Sequence, residues 1–241
     1  MDTIRINSGK AKMVAHRGVS GLEKENTLCA FVAAGNRSYF GIETDVHRTA
    51  DGEFVIVHDD NTLRVAGEAQ NIPVEQSDLA ALRNVTLLDI DGSAGRVDLR
   101  LPTLREYIRC CRKYGKDCVL ELKNRIATGD IARMVEEIRE EGYLEHVIFI
   151  GFSRENMTDL RRMLPEQTLQ LLLKELDSAS LEFLCRNRLD VDIYWKALTS
   201  EWVDRLHEAG VKVNVWTVDD PAVGEQMAGW GVDYITSNIL E

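Results

Sequence analysis

Positive charge is scarce in this chain: 29 lysines and arginines stand against 40 aspartates and glutamates, a formal net charge of −11. Such a surface repels polyanions, which argues against nucleic acid or an anionic membrane as partner. A small anion held in a local basic pocket is still compatible with it. Long apolar runs are missing too. No stretch approaches the roughly 18 apolar residues that span a bilayer, so stable membrane insertion is not expected. The opening Met1-Asp2-Thr3-Ile4-Arg5-Ile6-Asn7 has no apolar run of the signal-peptide kind. Linker composition and low-complexity tracts are absent, so residues 1–241 read as one domain. The five cysteines (Cys29, Cys110, Cys111, Cys118 and Cys185) are odd in number and lack CxxC spacing. They read as buried thiols of a reducing cytoplasm rather than as a disulfide or zinc framework.

What is present is ordinary globular material, 241 residues with 44% hydrophobic and 29% charged, enough for a sizeable core. A short apolar run, a polar or glycine break and a helix-like segment recur from end to end. Candidate strands are Lys12–His16, Gly41–Val46, Phe54–His58, Asp117–Lys123, Val147–Phe152, Thr168–Leu173, Val191–Tyr194, Lys212–Val218 and Val232–Ile235. Leu104, Tyr107, Ile108 and Cys111 fall at helical spacing, as do Ile131, Met134, Val135 and Ile138. Thr103 and Glu106 can form a capping box, and Gly35, Gly115, Gly142 and Gly210 are expected to be left-handed helix caps. Strand–helix alternation of this kind predicts a parallel sheet with helical crossovers.

Eight of the nine strands would close a (β/α)8 TIM barrel, for which about 250 residues is typical. The ninth, Phe54–His58, follows the turn signal Asp51-Gly52. It is either an antiparallel partner of the strand before it or a barrel strand with an irregular link. A doubly wound sheet is disfavoured, since no GxGxxG follows the first strand. Residues 60–101 break the rhythm apart from a short helix at Leu79–Leu82, and read as a small inserted subdomain or lid.

In such a barrel the active site lies at the C-terminal strand ends. Those ends carry His16-Arg17, Glu43-Thr44-Asp45, His58-Asp59, Glu121-Leu122-Lys123 and Asn214-Val215-Trp216. Side chains two apart on a strand share a face, so Glu43 points with Asp45 and Glu121 with Lys123. Three carboxylates form a hard, all-oxygen site suited to Mg²⁺, Ca²⁺ or Mn²⁺, and the histidine spacing does not suggest zinc. Arg17 and Lys123 supply the charge that binds a phosphate. A histidine pair can take a proton from an attacking oxygen and give one to a leaving oxygen near neutral pH. Together these groups point to hydrolysis of a phosphate ester. His47, His146 and His207 belong to no cluster and read as surface or structural residues.

His16-Arg17-Gly18, Glu25-Asn26-Thr27, Glu43-Thr44-Asp45-Val46, Thr49-Ala50-Asp51-Gly52 and Val57-His58-Asp59 occur in that order. Leu101-Pro102-Thr103-Leu104, Glu121-Leu122-Lys123 and Val215-Trp216-Thr217-Val218 follow. In this arrangement the chain resembles the glycerophosphodiester phosphodiesterases, from residue 14 to about residue 238. The resemblance implies the TIM barrel with its insertion and metal-dependent hydrolysis of a glycerophosphodiester to an alcohol and sn-glycerol 3-phosphate. It implies His16 and His58 as general acid–base pair, Glu43, Asp45 and Glu121 as metal ligands, and Arg17 and Lys123 as phosphate-binding groups. Glu25 and Asn26 would support the site, and Trp216 would line the glycerol or leaving-group side.

The chain departs from the family pattern twice. Lys24 replaces the usual proline before Glu-Asn-Thr, which should soften that loop. Ser237-Asn238-Ile239-Leu240 replaces Thr-Asp/Asn-x-Pro, and weaker packing is expected there. The competing expectations are a barrel of the same type acting on a lysophospholipid or another phosphodiester, and a non-catalytic phosphoester-binding barrel.

Overall fold

The β-branched and leucine-rich runs become strands because parallel strands covered on both faces need apolar side chains on both. A computed structural model describes residues 2–241. Its strands are β1 (Lys12–Ala15), β2 (Gly41–Arg48), β3 (Phe54–Ile56), β4 (Asp117–Leu122), β5 (Val147–Gly151), β6 (Leu169–Leu173), β7 (Asp190–Tyr194), β8 (Val213–Trp216) and β9 (Tyr234–Ser237). All except β3 pair in parallel, and β1 bonds both β2 and β9, so the sheet closes into an eight-stranded barrel. β3 pairs antiparallel with β2, Val46 opposite Ile56, which settles the irregular strand as a hairpin partner. Gly52 takes the turn at φ 86°, a conformation that disfavours any side chain.

The helices are α1 (Leu28–Gly35), α2 (Leu63–Ala66), α3 (Leu79–Asn84), α4 (Leu104–Tyr114), α5 (Thr128–Glu140), α6 (Arg154–Met163), α7 (Ser178–Asn187), α8 (Ser200–Glu208) and α9 (Pro221–Trp230). α4 starts at the Thr103–Glu106 capping box, in which each side chain bonds the other residue's backbone N–H; such a cap contributes about 1 kcal/mol. Its Leu104, Tyr107, Ile108 and Cys111 are buried against the barrel, as are Ile131, Met134, Val135 and Ile138 of α5. The main core lies between barrel and helices, and a smaller one with Val14, Val119, Ile148, Ile150 and Leu172 fills the barrel. Residues 60–101 hold α2 and α3 and pack Val65, Val74, Leu82, Leu87 and Leu99 on Val55 and Val57, a third apolar cluster beside the hairpin. Among the described residues no helix is long and apolar enough to cross a membrane.

Three expectations need correction. Gly115, Gly142 and Gly210 do have positive φ, but Gly35 does not. Gly35 is the last residue of α1, and a Cβ there would lie 2.5 Å from the Tyr114 ring, so glycine permits close helix packing instead of a cap. The final segment is also not weakly packed. Leu240 is fully buried, Ile4 N–H donates to Ile239 O at 3.0 Å, and the Glu241 carboxylate accepts from Ser38 N–H and Oγ–H at 2.7 and 2.6 Å. The Ser237 hydroxyl also braces this turn, accepting from the N–H groups of Ile239 and Leu240. Finally, all five thiols are free, but only Cys110, Cys111 and Cys118 are buried; Cys185 is exposed and Cys29 half-buried beside Arg96 and Asp98.

Candidate active site

Glu43 and Asp45 lie two apart on β2, and Glu121 on β4 pairs in register with Asp45, so the pleat turns all three inward. Each carboxylate offers an oxygen within 4.8 Å of the others, and all three are buried. Asn26 fixes Asp45: its amide donates to Asp45 Oδ2 at 2.8 Å and its oxygen accepts from the Thr44 hydroxyl at 2.7 Å. Asn26 adopts φ 54° and Arg17 φ 52°, a left-handed backbone that costs non-glycine residues energy and is often found at functional sites. Arg17 thereby donates its backbone N–H to Glu43 Oε2 at 2.8 Å. Next to it, Gly18 allows the loop to rest on α1, where a Cβ would lie 2.6 Å from Ala30.

Two cations face the carboxylates. Lys123 Nζ lies 2.8 Å from Glu121 and 3.3 Å from Asp45; Arg17 lies 2.9 Å from Glu25 and 3.4 Å from Asp45. Burial raises Glu43 above the carboxylate range, and the neighbouring Asp45 and Glu121 charges add to it. Burial, with Asp45 beside it, likewise raises Glu121 to about 7. Burial pushes Asp45 up as well, but Lys123 and Arg17 outweigh it and hold this carboxyl below its usual range. Asp45 Oδ1 and Glu121 Oε1 are buried and face the Lys123 ammonium, at 3.3 and 2.8 Å. Three buried carboxylates gathered this closely need positive charge, and the all-oxygen donor set fits a hard divalent cation.

His16 and His58 both border the pocket that contains Arg17, Glu43, Glu121, Lys123 and Trp216. His16 Nε2 lies 3.9 Å from Glu43, while Nδ1 bonds Asn238 Oδ1 at 2.7 Å. Burial, together with the Arg17 charge, lowers the His16 imidazole to about 4. His58 Nδ1 bonds Asp59 at 2.6 Å, and burial lowers this imidazole too, against the pull of Asp45 and Asp59. Trp216 packs edge-on against Phe152, at 5.9 Å between ring centroids, and donates its indole N–H to Asp192 O. Glu25 does not touch the carboxylate cluster; it pairs with Arg17 and Arg64.

The sequence-predicted residues therefore converge, and the structure adds four to which sequence reasoning gave no role. Asn238 orients His16, and it also accepts from the Ser20 hydroxyl and donates to Asp219. Asp59 orients His58. Arg64 of α2 bonds both Asp59 and Glu25, linking the 60–101 segment to His58 on one side and Arg17 on the other. Asp192 of β7 lines the pocket, between the buried Val191 and Ile193. His47 is structural: buried, it bonds Glu75 and its Nε2 meets the His58 carbonyl at 3.2 Å. His146 and His207 pair with Asp117 and Asp233 away from the site.

Residues 16–240 match the family model described as the glycerophosphoryl diester phosphodiesterase family. The chain belongs to that family. It is accordingly an enzyme of the phosphodiesterase class, a hydrolase on a TIM barrel. A glycerophosphodiester phosphodiesterase of Caldanaerobacter subterraneus subsp. tengcongensis is 28% identical over 237 residues, 95% of this chain and 94% of that protein. The crystal structure of a glycerophosphodiester phosphodiesterase from Parabacteroides distasonis superposes with a TM-score of 0.79 at 27% identity, covering 95% of this chain and 93% of that one. An Oleispira antarctica phosphodiesterase, solved with its product sn-glycerol-3-phosphate, shares the fold at a TM-score of 0.82 and 24% identity, over 98% of this chain and 96% of that one.

Proposed function

We propose that this chain hydrolyses glycerophosphodiesters to an alcohol and sn-glycerol 3-phosphate, with a divalent cation held by Glu43, Asp45 and Glu121. The observation that carries this reading is the convergence of an all-carboxylate cluster, two cations and two imidazoles in one cleft. A bound Mg²⁺, Ca²⁺ or Mn²⁺ would polarise the phosphoryl group and offset charge growing on its oxygens. Arg17 and Lys123 bind that phosphate, Arg17 as a planar fork steadied by Glu25 and Lys123 as a point charge. His16, kept neutral by burial, accepts the proton of the attacking oxygen at Nε2, because Asn238 occupies Nδ1. His58, its Nδ1–H held by Asp59, starts as the imidazolium and gives its Nε2 proton to the departing alkoxide, while His16 keeps the proton of the attacking oxygen.

Phe152 is the one exposed large apolar residue among those that line the pocket, and a single ring is a poor seat for an acyl chain. That favours a small glycerophosphodiester over a lysophospholipid. A cytoplasmic setting belongs to the same reading, given five free thiols. The test is turnover of glycerophosphocholine by His16→Ala and His58→Ala. Each should lose roughly 10²–10⁴-fold in kcat with unchanged circular dichroism. Wild-type turnover in either variant would remove that histidine from the chemistry.

A further inference from the structure

β7 is apolar except where it turns inward: Val191 and Ile193 are buried in the core between barrel and helices, and Asp192 between them faces the pocket. Asp192 is 1% exposed, and its carboxyl makes no hydrogen bond with any described residue; Oδ1 is fully buried and unpartnered. It also stands outside the cation cluster, which comprises Glu43, Asp45 and Glu121. Its inward polar neighbours are differently placed. Asn214, in register with it on β8, donates to Gln170 and accepts from Thr236, each at 3.1 Å. Those groups satisfy one another as a structural layer, whereas Asp192 is left over.

A buried polar group without a partner costs folding energy, and no packing need explains its presence where a leucine would fill the strand. Around it the walls are apolar, built from Ile150, Leu172, Phe152 and Trp216. The pocket that these walls share with the two histidines, the cations and the carboxylates measures about 90 Å³. On the other side of His16 and Arg17, Ser20, Asp219 and Asn238 border an open groove of about 530 Å³ that can take alcohols of varied size.

We propose that Asp192 is a specificity-determining residue that hydrogen-bonds the terminal hydroxyl of the substrate's glycerol moiety, seated against these apolar walls. The inference rests on the phosphodiesterase reading above and adds the orientation of the substrate: glycerol inward, leaving alcohol toward the groove. The apolar walls cover the glycerol carbons, and the one uncommitted carboxyl meets the hydroxyl farthest from the phosphate.

The test compares kcat/KM on glycerophosphocholine with kcat/KM on its analogue built on propane-1,2-diol esterified at the primary oxygen. That analogue keeps the hydroxyl next to the ester and lacks only the terminal one. The native enzyme should prefer glycerol by roughly 10- to 100-fold, since the analogue leaves the carboxyl unpaired. Asp192→Leu should bring the ratio close to one by losing activity on glycerophosphocholine alone, and its melting temperature should match or exceed that of the native protein. Asp192→Asn, still able to hydrogen-bond, should keep part of the preference. Should leucine overpack the pocket and prevent folding, Asp192→Ala reads the same ratio. An unchanged ratio in the Leu or Ala variant, or equal losses on both substrates, would overturn the proposal while leaving the phosphodiesterase reading intact. No hydrolysis of either substrate by the native, metal-supplied enzyme would overturn both.

Discussion

Replacing Asn238 with alanine removes the only described side-chain partner of His16 Nδ1, a 2.7 Å bond between residues 222 apart in sequence. A bond between neutral groups contributes about 1–1.5 kcal/mol net, and each 1.36 kcal/mol is about tenfold in rate. The proposed use of Nε2 as proton acceptor requires Nδ1 to keep its hydrogen. The loss therefore falls on the fraction of rings with the right tautomer and orientation. Asn238→Ala should lower kcat for glycerophosphocholine about 5- to 13-fold. The Michaelis constant should change little. In a His16→Ala background the second substitution should cost nothing further, because its target is gone. Asn238→Asp adds a sharper signature. A carboxylate beside the ring raises the imidazole from about 4. The unprotonated ring is the active form, so the acid limb of the kcat/KM profile moves to higher pH. A native kcat in Asn238→Ala, or an additional loss on top of His16→Ala, would refute this reasoning.

Arg64→Ala cuts the link between the 60–101 segment and both Arg17 and His58, so phosphate binding and turnover should weaken together, by about tenfold in kcat/KM. Because Arg64 is half exposed, its ion pairs contribute only modestly to stability. Burial alone would raise Glu25, but Arg64 and Arg17 lower it from 4.5 to about 2. Its stabilising share is therefore complete above pH 4.5 and is lost as pH falls toward 2. Arg64→Ala should start acid unfolding at higher pH, and identical acid transitions by circular dichroism would contradict this pairing. Gly35→Ala should lower stability by about 1–3 kcal/mol in urea titrations, because the Tyr114 ring occupies the position of the new methyl. A stabilised variant would mean that helix propensity outweighs the clash.

The barrel was legible because its signal is local. Each of the nine candidate strands became a strand, and the Asp51-Gly52 turn marked β3 as the odd one. Strand-end residues could be gathered into a site because closure of the barrel places all C-terminal strand ends on one rim. What stayed hidden depends on contacts the period of a strand or helix does not carry. Asn238 read as a departure near the chain's end, and only the β1–β9 pairing brings it under His16. Arg64 lies in an aperiodic stretch whose shape is set by its own small core, which gives no pattern in the chain. Gly35 looked like a cap because position alone cannot tell a left-handed turn from a close helix contact. A lone aspartate between Val191 and Ile193 did carry a signal, and a strand-alternation reading of β7 could have caught it.

The central claim is metal-dependent cleavage of a glycerophosphodiester at the Glu43–Asp45–Glu121 cluster. The most direct test is release of glycerol 3-phosphate from glycerophosphocholine, -ethanolamine, -glycerol and -inositol, in EDTA and then with Mg²⁺, Mn²⁺ or Ca²⁺ restored. The account predicts negligible release in EDTA, recovery with at least one of these cations, and no recovery in a folded Glu121→Gln variant. Equal release with and without chelator, or silence from all four substrates with metal present and the protein folded, would contradict it.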